Sequence, residues 1–347
     1  MSEWIAWDVI TDAMTKTRQM LFEPFDLTKW VKLAIILFFI GSGSLNFGSS
    51  SSSSNFGNFD SSQTDVPPDA FIEEAVSEGS VFVHQYLWYI VLAVLAILLL
   101  IALFSYISNV MQFAFVESVV KNQVTLKAYI RNNLGNGLRL FILNWALGIL
   151  FLAALILSLL PAFSAIMEGD FSVLFFGSLL MSFFVTMFGS IIFSLIGSFI
   201  NLAIPVMLYE HVGIINALSK VISTAVHSIP QVLVYWIIRI VLGIIIGIAT
   251  AIIGLIVVLI TGVILLLLGI VVYLILTLLG FGFPNIVVLV VLGLLFVVSM
   301  LVLIFLVTLA TVPLPVFMKY HALLFLQNWY VDIVPFWEPA PEPAKVI

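Results

Sequence analysis

Arg239 is the residue whose charge and position are most unusual in this chain. It lies about eight residues into a long apolar run, roughly 12 Å along a helix. An arginine at that depth in a membrane is costly and is usually paired with an acid. The candidate acids are Glu210 and Glu117, each at the end of an apolar run, and Asn144 or Asn201 could hydrogen-bond beside them. The alternative is that Arg239 extends its guanidinium to the lipid headgroups.

Residue patterns typical of catalysis are not found in the sequence. The 347 residues include no cysteine, which excludes disulfides, thiol catalysis and thiolate metal sites. There is no glycine-rich phosphate loop, nucleophile elbow or zinc-protease helix. His211, His227, His321 and Glu210 could meet around a metal, but they lack a ligand-spacing motif. We therefore predict no catalytic, cofactor or metal site, and we expect that the protein is not an enzyme.

Two faces of small residues predict close helix packing. One face recurs every three or four residues and consists of Ser178, Ser182, Thr186, Gly189, Ser190, Ser194, Gly197 and Asn201. The other includes Gly243 and Gly247, a GxxxG pair. Small residues let membrane helices approach closely, so we expect helix packing at Gly243, Gly247, Ser182, Ser190 and Ser194. The alternative for the first face is the wall of a wet path.

Composition indicates an integral membrane protein. Hydrophobic residues make up 63% of the chain, charged residues make up 9%, and the mean hydropathy is +1.26. Apolar runs longer than about 20 residues can cross a bilayer, where the backbone must satisfy its own hydrogen bonds as helix. The fold class is therefore an all-α polytopic helical bundle. A net charge of -6 without a basic stripe argues against nucleic acid as a partner.

The apolar runs and the loops between them divide the chain into five segments. Residues 1–28 predict an amphipathic helix on the cytoplasmic membrane surface, and 29–115 predict a first hairpin. Its outer loop, 48–80, is acidic and serine-rich. Residues 116–208 predict a surface helix with a second hairpin, and 209–312 a surface helix with a third, longer apolar hairpin. Residues 313–347 predict a cytoplasmic surface segment and a proline-rich tail.

Loop charges predict the orientation of these spans. Lysine and arginine are absent from 49–85 and 161–172, and they cluster before the first predicted span, 30–47, and between 114 and 139. The amino terminus is therefore expected to be cytoplasmic, with 48–80 outside. Three spans fit within 231–311, which gives seven in all and an external carboxyl terminus. We favour six spans with 255–279 re-entrant or part of an overlong hairpin, which puts the carboxyl terminus in the cytoplasm.

An internal repeat supports the six-span interpretation. The segment PVMLYEH at 205–211 recurs as PVFMKYH at 315–321, each after a long apolar run. Polar stretches that begin at Glu117 and Glu210 each lead into a further span. We therefore predict parallel repeats of a surface helix plus a helical hairpin. Parallel symmetry is a weaker indication of a transporter than inverted symmetry.

Three boundary motifs carry a resemblance to a known family. They are TR at 17–18 followed by PFDLxxWxKLA at 24–34, MQFxFVE at 111–117, and PxPxFxxYxxLxFL at 313–326. The chain resembles an uncharacterised family of archaeal multi-span membrane proteins. It is distantly similar to the membrane domain associated with glycerophosphodiester phosphodiesterases. The resemblance implies an archaeal plasma membrane and about six spans, but no activity.

Two functional hypotheses follow. In the first, the protein is non-catalytic and organises the membrane, lipid or a membrane complex. Lys121, Lys127, Arg131 and Arg139 would then meet anionic headgroups at the cytoplasmic face, with a protein partner or a homo-oligomer as further expectations. In the second, a small-solute transporter or channel has its path along the face from Ser178 to Asn201 and past Arg239. The low charge within the spans favours the first.

Overall fold

The computed structural model describes residues 4–43, 68–168, 173–283, 285–330, 333 and 336–337. Within these ranges the chain is helical and contains no strand, as the composition predicts. The helices are α1 (Ile5–Phe22), α2 (Leu27–Gly43), α3 (Pro68–Lys121), α4 (Leu126–Glu168), α5 (Val173–Tyr209), α6 (Ile214–His227), α7 (Ile229–Leu278), α8 (Ile286–Thr311) and α9 (Pro313–Trp329).

Three helical hairpins form the long part of the molecule. They pair α2 with α3, α4 with α5, and α7 with α8. Helices α3, α4, α5, α7 and α8 are each long and apolar enough to cross a membrane. In their most apolar stretches, at most 6% of the residues are buried. The apolar flanks of the hairpins are therefore open to a lipid environment. The predicted span 30–47 begins within α2 and ends outside the described residues.

The third hairpin differs from one of the predicted alternatives. Residues 255–279 were expected to be re-entrant or part of an overlong hairpin. Instead of turning back, α7 continues unbroken for 50 residues, about 75 Å. No proline or polar cluster interrupts the helix between Arg239 and Leu278, so nothing in the sequence reverses it. The turn comes at Gly280, whose φ of 89° suits glycine. The structure therefore has the overlong hairpin and not the re-entrant segment. The number of membrane spans stays a prediction.

The buried core lies at one end of the hairpins. We call this end the base; it consists of α1, α6 and α9, the carboxyl ends of α3 and α5, and the amino ends of α2, α4 and α7. Fully buried side chains there include Phe113, Leu140, Met207, Tyr235 and Phe325. For the phenylalanines, Leu140 and Met207, burial contributes about 1.5–3 kcal/mol each relative to exposure to water. The base is therefore the part of the chain that holds the three hairpins in fixed positions.

Helix α9 occupies the centre of the base, although residues 313–347 were expected to be a surface segment. It packs on α1, and it also contacts α3 and α5. Its buried residues include Val316, Tyr320, Leu323 and Phe325. The expectation rested on the charge of Lys319 and on the aromatic residues that follow it. Because apolar residues occupy most of the remaining helix surface, burial against the surrounding helices overrides the interfacial pattern.

Helix α1 is amphipathic as predicted, but protein covers its apolar face. Ala6, Val9, Ala13 and Met20 are buried against the base. Trp7 remains 65% exposed on the other side of the helix. Part of this surface is thus free to contact headgroups, while the rest is an interhelical contact.

The second predicted surface helix is continuous with its span. Residues 126–168 form one helix, so the polar stretch after Glu117 runs directly into the apolar part of α4. The serine-rich part of 48–80 lies outside the described residues. Helix α3 begins at Pro68 and therefore includes the end of that predicted loop. Pro205 lies in α5 and Pro315 in α9, but His211 is exposed after α5 and His321 is buried within α9. The parallel repeat stays a prediction.

Candidate functional site

A basic cleft lies where the first two hairpins enter the base. Its volume is about 710 Å³, and its described lining comprises Lys32, Val124, Thr125, Leu126, Lys127, Ala128, Arg131 and Asn132. Three of these residues are basic and none is acidic. Helix α4 begins here, so its free backbone N–H groups add partial positive charge. The arrangement favours an anion such as a phosphate group.

The cleft is assembled from distant parts of the sequence. Lys32 belongs to the first turns of α2, whereas Lys127 and Arg131 lie one helical turn apart on α4. Lys29, one turn before Lys32, donates to the Asn122 side chain at 3.2 Å and thus joins the start of α2 to the end of α3. Asn122 ends α3 with a φ of 51°, a left-handed conformation that asparagine tolerates. This bend directs the chain from α3 into α4 beside Lys32.

A second, polar pocket adjoins the cleft. Its volume is about 320 Å³, and its described lining comprises Glu117, Lys121, Asn132, Asn133, Asn136, Leu208, Tyr209 and His211. Asn132 lines both cavities. Glu117 accepts hydrogen bonds from the Lys121 ammonium and, at 2.9 Å, from the Asn133 amide. The carboxylate charge is therefore neutralised within the pocket wall.

A cationic cluster lies where α5, α7 and α9 converge. The Lys319 ammonium donates to Asn201 Oδ1 at 2.7 Å, and the charge of nearby Arg239 acts on it. Burial, together with the Arg239 charge, lowers the pKa of Lys319 to about 7. Arg239 donates to the Tyr235 hydroxyl at 2.8 Å and lies over the same ring. Among the described residues, no carboxylate pairs with either cation.

An aromatic column fixes this cluster to the base. The rings of His321, Tyr235, Phe325 and Trp329 stack in succession, with a shortest centroid distance of 4.2 Å between Tyr235 and Phe325. His321 donates through Nε2 to the carbonyl of Ala6 at 2.9 Å, because a carbonyl can only accept. Burial lowers the pKa of His321 to about 4, and Arg239 adds to this effect. His321 is therefore neutral and joins α9 to α1.

The predicted polar residues separate into distinct contacts. Glu210 accepts from Lys220 at 2.6 Å, and Glu117 belongs to the polar pocket. In the part of the chain that the structure describes, neither glutamate pairs with Arg239, because each has a lysine closer at hand. Asn144 donates to Asn109 Oδ1 at 2.7 Å and joins α4 to α3. Asn201 accepts from Lys319, on which the charge of Arg239 acts, and the predicted hydrogen bond of Asn201 beside Arg239 stays a prediction.

The small-residue faces have mixed surroundings. The hydroxyls of Ser182 and Ser190 donate to carbonyls of their own helix at 2.8 Å, and Ser194 is exposed. A Cβ built at Gly189, on the same face, would lie 2.4 Å from the Phe151 ring, so α4 and α5 approach closely there. A Cβ at Gly243 would meet nothing within 4 Å, and Gly247 is half-buried. The packing roles of these serines and of the two glycines stay predictions.

Several residues of the site were not predicted. The sequence pattern indicates an interfacial cation at Lys319, and it gives no special place to Tyr235. The cleft joins Lys32 to Lys127 and Arg131 across about 95 residues of sequence, a distance that no local pattern spans. The sequence does contain a signal that the helix around Lys319 is buried. Apolar or aromatic residues recur at helical spacing at 316, 320 and 323, and all three are buried in α9.

The fold and the cavities define a class of protein. Within the described residues it is all-helical, several of its helices are compatible with a multi-pass membrane protein, and its buried hydrophobic core lies in the base. A comparison with family sequence profiles is more specific. Residues 4–334 match the Family of unknown function (DUF7544), and the chain belongs to this family. No curated protein matches the chain, and no solved structure matches it.

Proposed function

We propose that this protein is a non-catalytic multi-pass membrane protein that binds the phosphate of anionic lipids at its base. The observation that carries the proposal is the basic cleft around Lys32, Lys127 and Arg131. Its cations lie just before the apolar parts of α2 and α4, at the level expected for headgroups. With the amino terminus in the cytoplasm of an archaeal cell, the cleft would face the inner leaflet of the plasma membrane.

The strength of this binding follows from the charges. Each lysine or arginine near an anionic membrane surface contributes about 1 kcal/mol. Three such residues give about 3 kcal/mol, which is roughly a 150-fold increase in affinity. The amino-terminal end of α4 adds a few tenths of a kcal/mol or more if a phosphate oxygen reaches its N–H groups.

The test is a titration of the full-length protein in neutral detergent with a fluorescent phosphatidic acid. We expect the triple variant Lys32→Gln, Lys127→Gln, Arg131→Gln to bind about 100-fold more weakly, and each single variant about fivefold more weakly. Arg18→Gln is the matched control, since it removes one exposed cation that pairs with Glu23 and is not among the described residues that line the cleft. If Arg18→Gln lowered the affinity for phosphatidic acid as much as a single variant of the cleft does, net charge and not the cleft would govern binding.

Orientation can be measured independently because the chain has no cysteine. Intact cells that express variants with a single cysteine at Ser52, Ala128 or Ala340 would be treated with an impermeant thiol reagent. We expect labelling at Ser52 alone. Labelling at Ala128, which lines the cleft, would put the cleft on the outer leaflet; labelling at Ala340 would give an odd number of spans.

A second candidate function is an anion transporter or channel. It is favoured by one observation, the meeting of Asn201, Lys319 and Arg239 at the foot of the second and third hairpins. The Arg239→Leu variant should then abolish chloride or phosphate flux in proteoliposomes while the protein stays folded. Under the lipid-binding proposal it should change only the stability.

A further inference from the structure

The polar pocket beside the basic cleft has a composition suited to an uncharged ligand. Its one carboxylate, on Glu117, is already engaged by Lys121 and by Asn133. The groups that remain for a ligand are the amides of Asn132 and Asn136, the imidazole of His211 and the phenol of Tyr209, which can donate or accept hydrogen bonds. A pocket of this kind has little attraction for a second charge but can form many hydrogen bonds.

Tyr209 supplies the observation that indicates a missing partner. Tyr209 lines the pocket, and its hydroxyl is buried and has no hydrogen-bond partner among the described atoms. Leaving a buried hydroxyl unsatisfied costs about 1–3 kcal/mol. The ring is held by an edge contact with Phe336 at a centroid distance of 5.0 Å. A ligand that brings its own donor or acceptor would satisfy this hydroxyl once the ring turns it towards the pocket.

Size and continuity narrow the ligand class. A volume of about 320 Å³ lies at the lower end of the range of about 300–1,000 Å³ that small-molecule sites occupy. Because Asn132 lines both cavities, one molecule can place a phosphate in the cleft and a neighbouring group in the pocket. A neighbouring group with several hydroxyls would match the hydrogen-bonding side chains of the pocket.

We propose that the pocket binds the polyhydroxyl headgroup, such as glycerol, of the phospholipid whose phosphate lies in the basic cleft. The inference rests on the proposed function, since it assigns a headgroup to the same lipid. It makes the protein selective among anionic lipids. Phosphatidic acid would occupy only the cleft, through its phosphate. Phosphatidylglycerol would occupy both cavities, with its phosphate in the cleft and its glycerol headgroup in the pocket.

The test compares phosphatidylglycerol, phosphatidic acid and phosphatidylserine with the same acyl chains, titrated into the full-length protein. We expect the wild type to bind phosphatidylglycerol about tenfold more tightly than the other two. Tyr209→Phe should reduce this preference roughly fivefold through the loss of one hydrogen bond, without changing the affinity for phosphatidic acid. The apparent melting temperature without lipid should not fall, because the change removes an unsatisfied hydroxyl.

The control variant is Tyr106→Phe, which removes a phenol that donates to the Leu134 carbonyl and lines neither cavity. It should keep the full headgroup preference. Equal binding of all three lipids by the wild type, with binding still lost in the triple glutamine variant, would overturn the headgroup inference and leave the proposed function standing. If the triple glutamine variant bound the lipids as tightly as the wild type, both the headgroup inference and the proposed function would be overturned. Competition by free glycerol phosphate at the concentration of the lipid would reassign the site to a soluble phosphate ester and overturn the lipid assignment.

Discussion

Gly137 allows α3 and α4 to approach each other closely in the base, and its replacement gives the sharpest test of this packing. A Cβ built there would lie 2.3 Å from Val110 Cγ2 and 2.9 Å from Val110 Cα. Ordinary van der Waals separations for a Cβ are 3.4–4 Å. The valine methyl can rotate away, but the Cα belongs to the α3 backbone. Gly137→Ala therefore requires the two helices to separate by about 0.5 Å, the difference between 2.9 Å and 3.4 Å.

The magnitude follows from two opposing effects. Alanine in a helix interior is about 1 kcal/mol more favourable than glycine. Overpacking a close contact costs about 1–3 kcal/mol. Gly135 is the matched control, because it lies two residues away on the same helix and its Cβ would meet nothing within 4 Å. We expect Gly135→Ala to be the more stable variant by about 1–3 kcal/mol.

The assay is thermal unfolding in detergent, followed by tryptophan fluorescence at one scan rate for both variants. At about 2–4 °C per kcal/mol, the two melting temperatures should differ by several degrees. Val110→Ala combined with Gly137→Ala should recover part of the loss, since the nearest methyl group is removed while the α3 backbone stays close to the new side chain. A Gly137→Ala protein as stable as Gly135→Ala, with no coupling to Val110, would refute the close approach.

Two further predictions concern pH. The pKa of Lys319 is about 7 in the folded protein and 10.5 in the unfolded chain, so burial of its charge lowers the free energy of unfolding fully below pH 7, and this loss disappears as the pH rises to 10.5. In denaturant titrations, Lys319→Met should remove this rise in stability with pH. A variant whose stability rises with pH as steeply as that of the wild type would mean that Lys319 is not buried. The folded pKa of His321, about 4, lies below 6.5, so stability should fall as pH drops from 6.5 to 4. His321→Gln should flatten that acid limb, and a limb of equal steepness would count against the buried imidazole.

The sequence could predict the helices and their apolar faces because both follow from periodicity and composition. The unbroken apolar run after Arg239 allowed an overlong hairpin, and α7 has this form. The position of α9 could not be predicted, because Lys319 looks like an interfacial cation until Asn201 and the aromatic column surround it. Likewise, nothing local in the sequence of Lys32 indicates that Arg131 will face the same cleft.

The length of α7 makes the third hairpin sensitive to membrane thickness. Beyond Arg239, α7 continues for about 39 residues, most of them apolar, roughly 58 Å of helix. A hydrocarbon layer of about 30 Å could contain that length only at a tilt near 60°, beyond the range of about 0–40° that membrane helices adopt. Only a thick membrane, or another apolar surface, would therefore cover α7 along its whole apolar length.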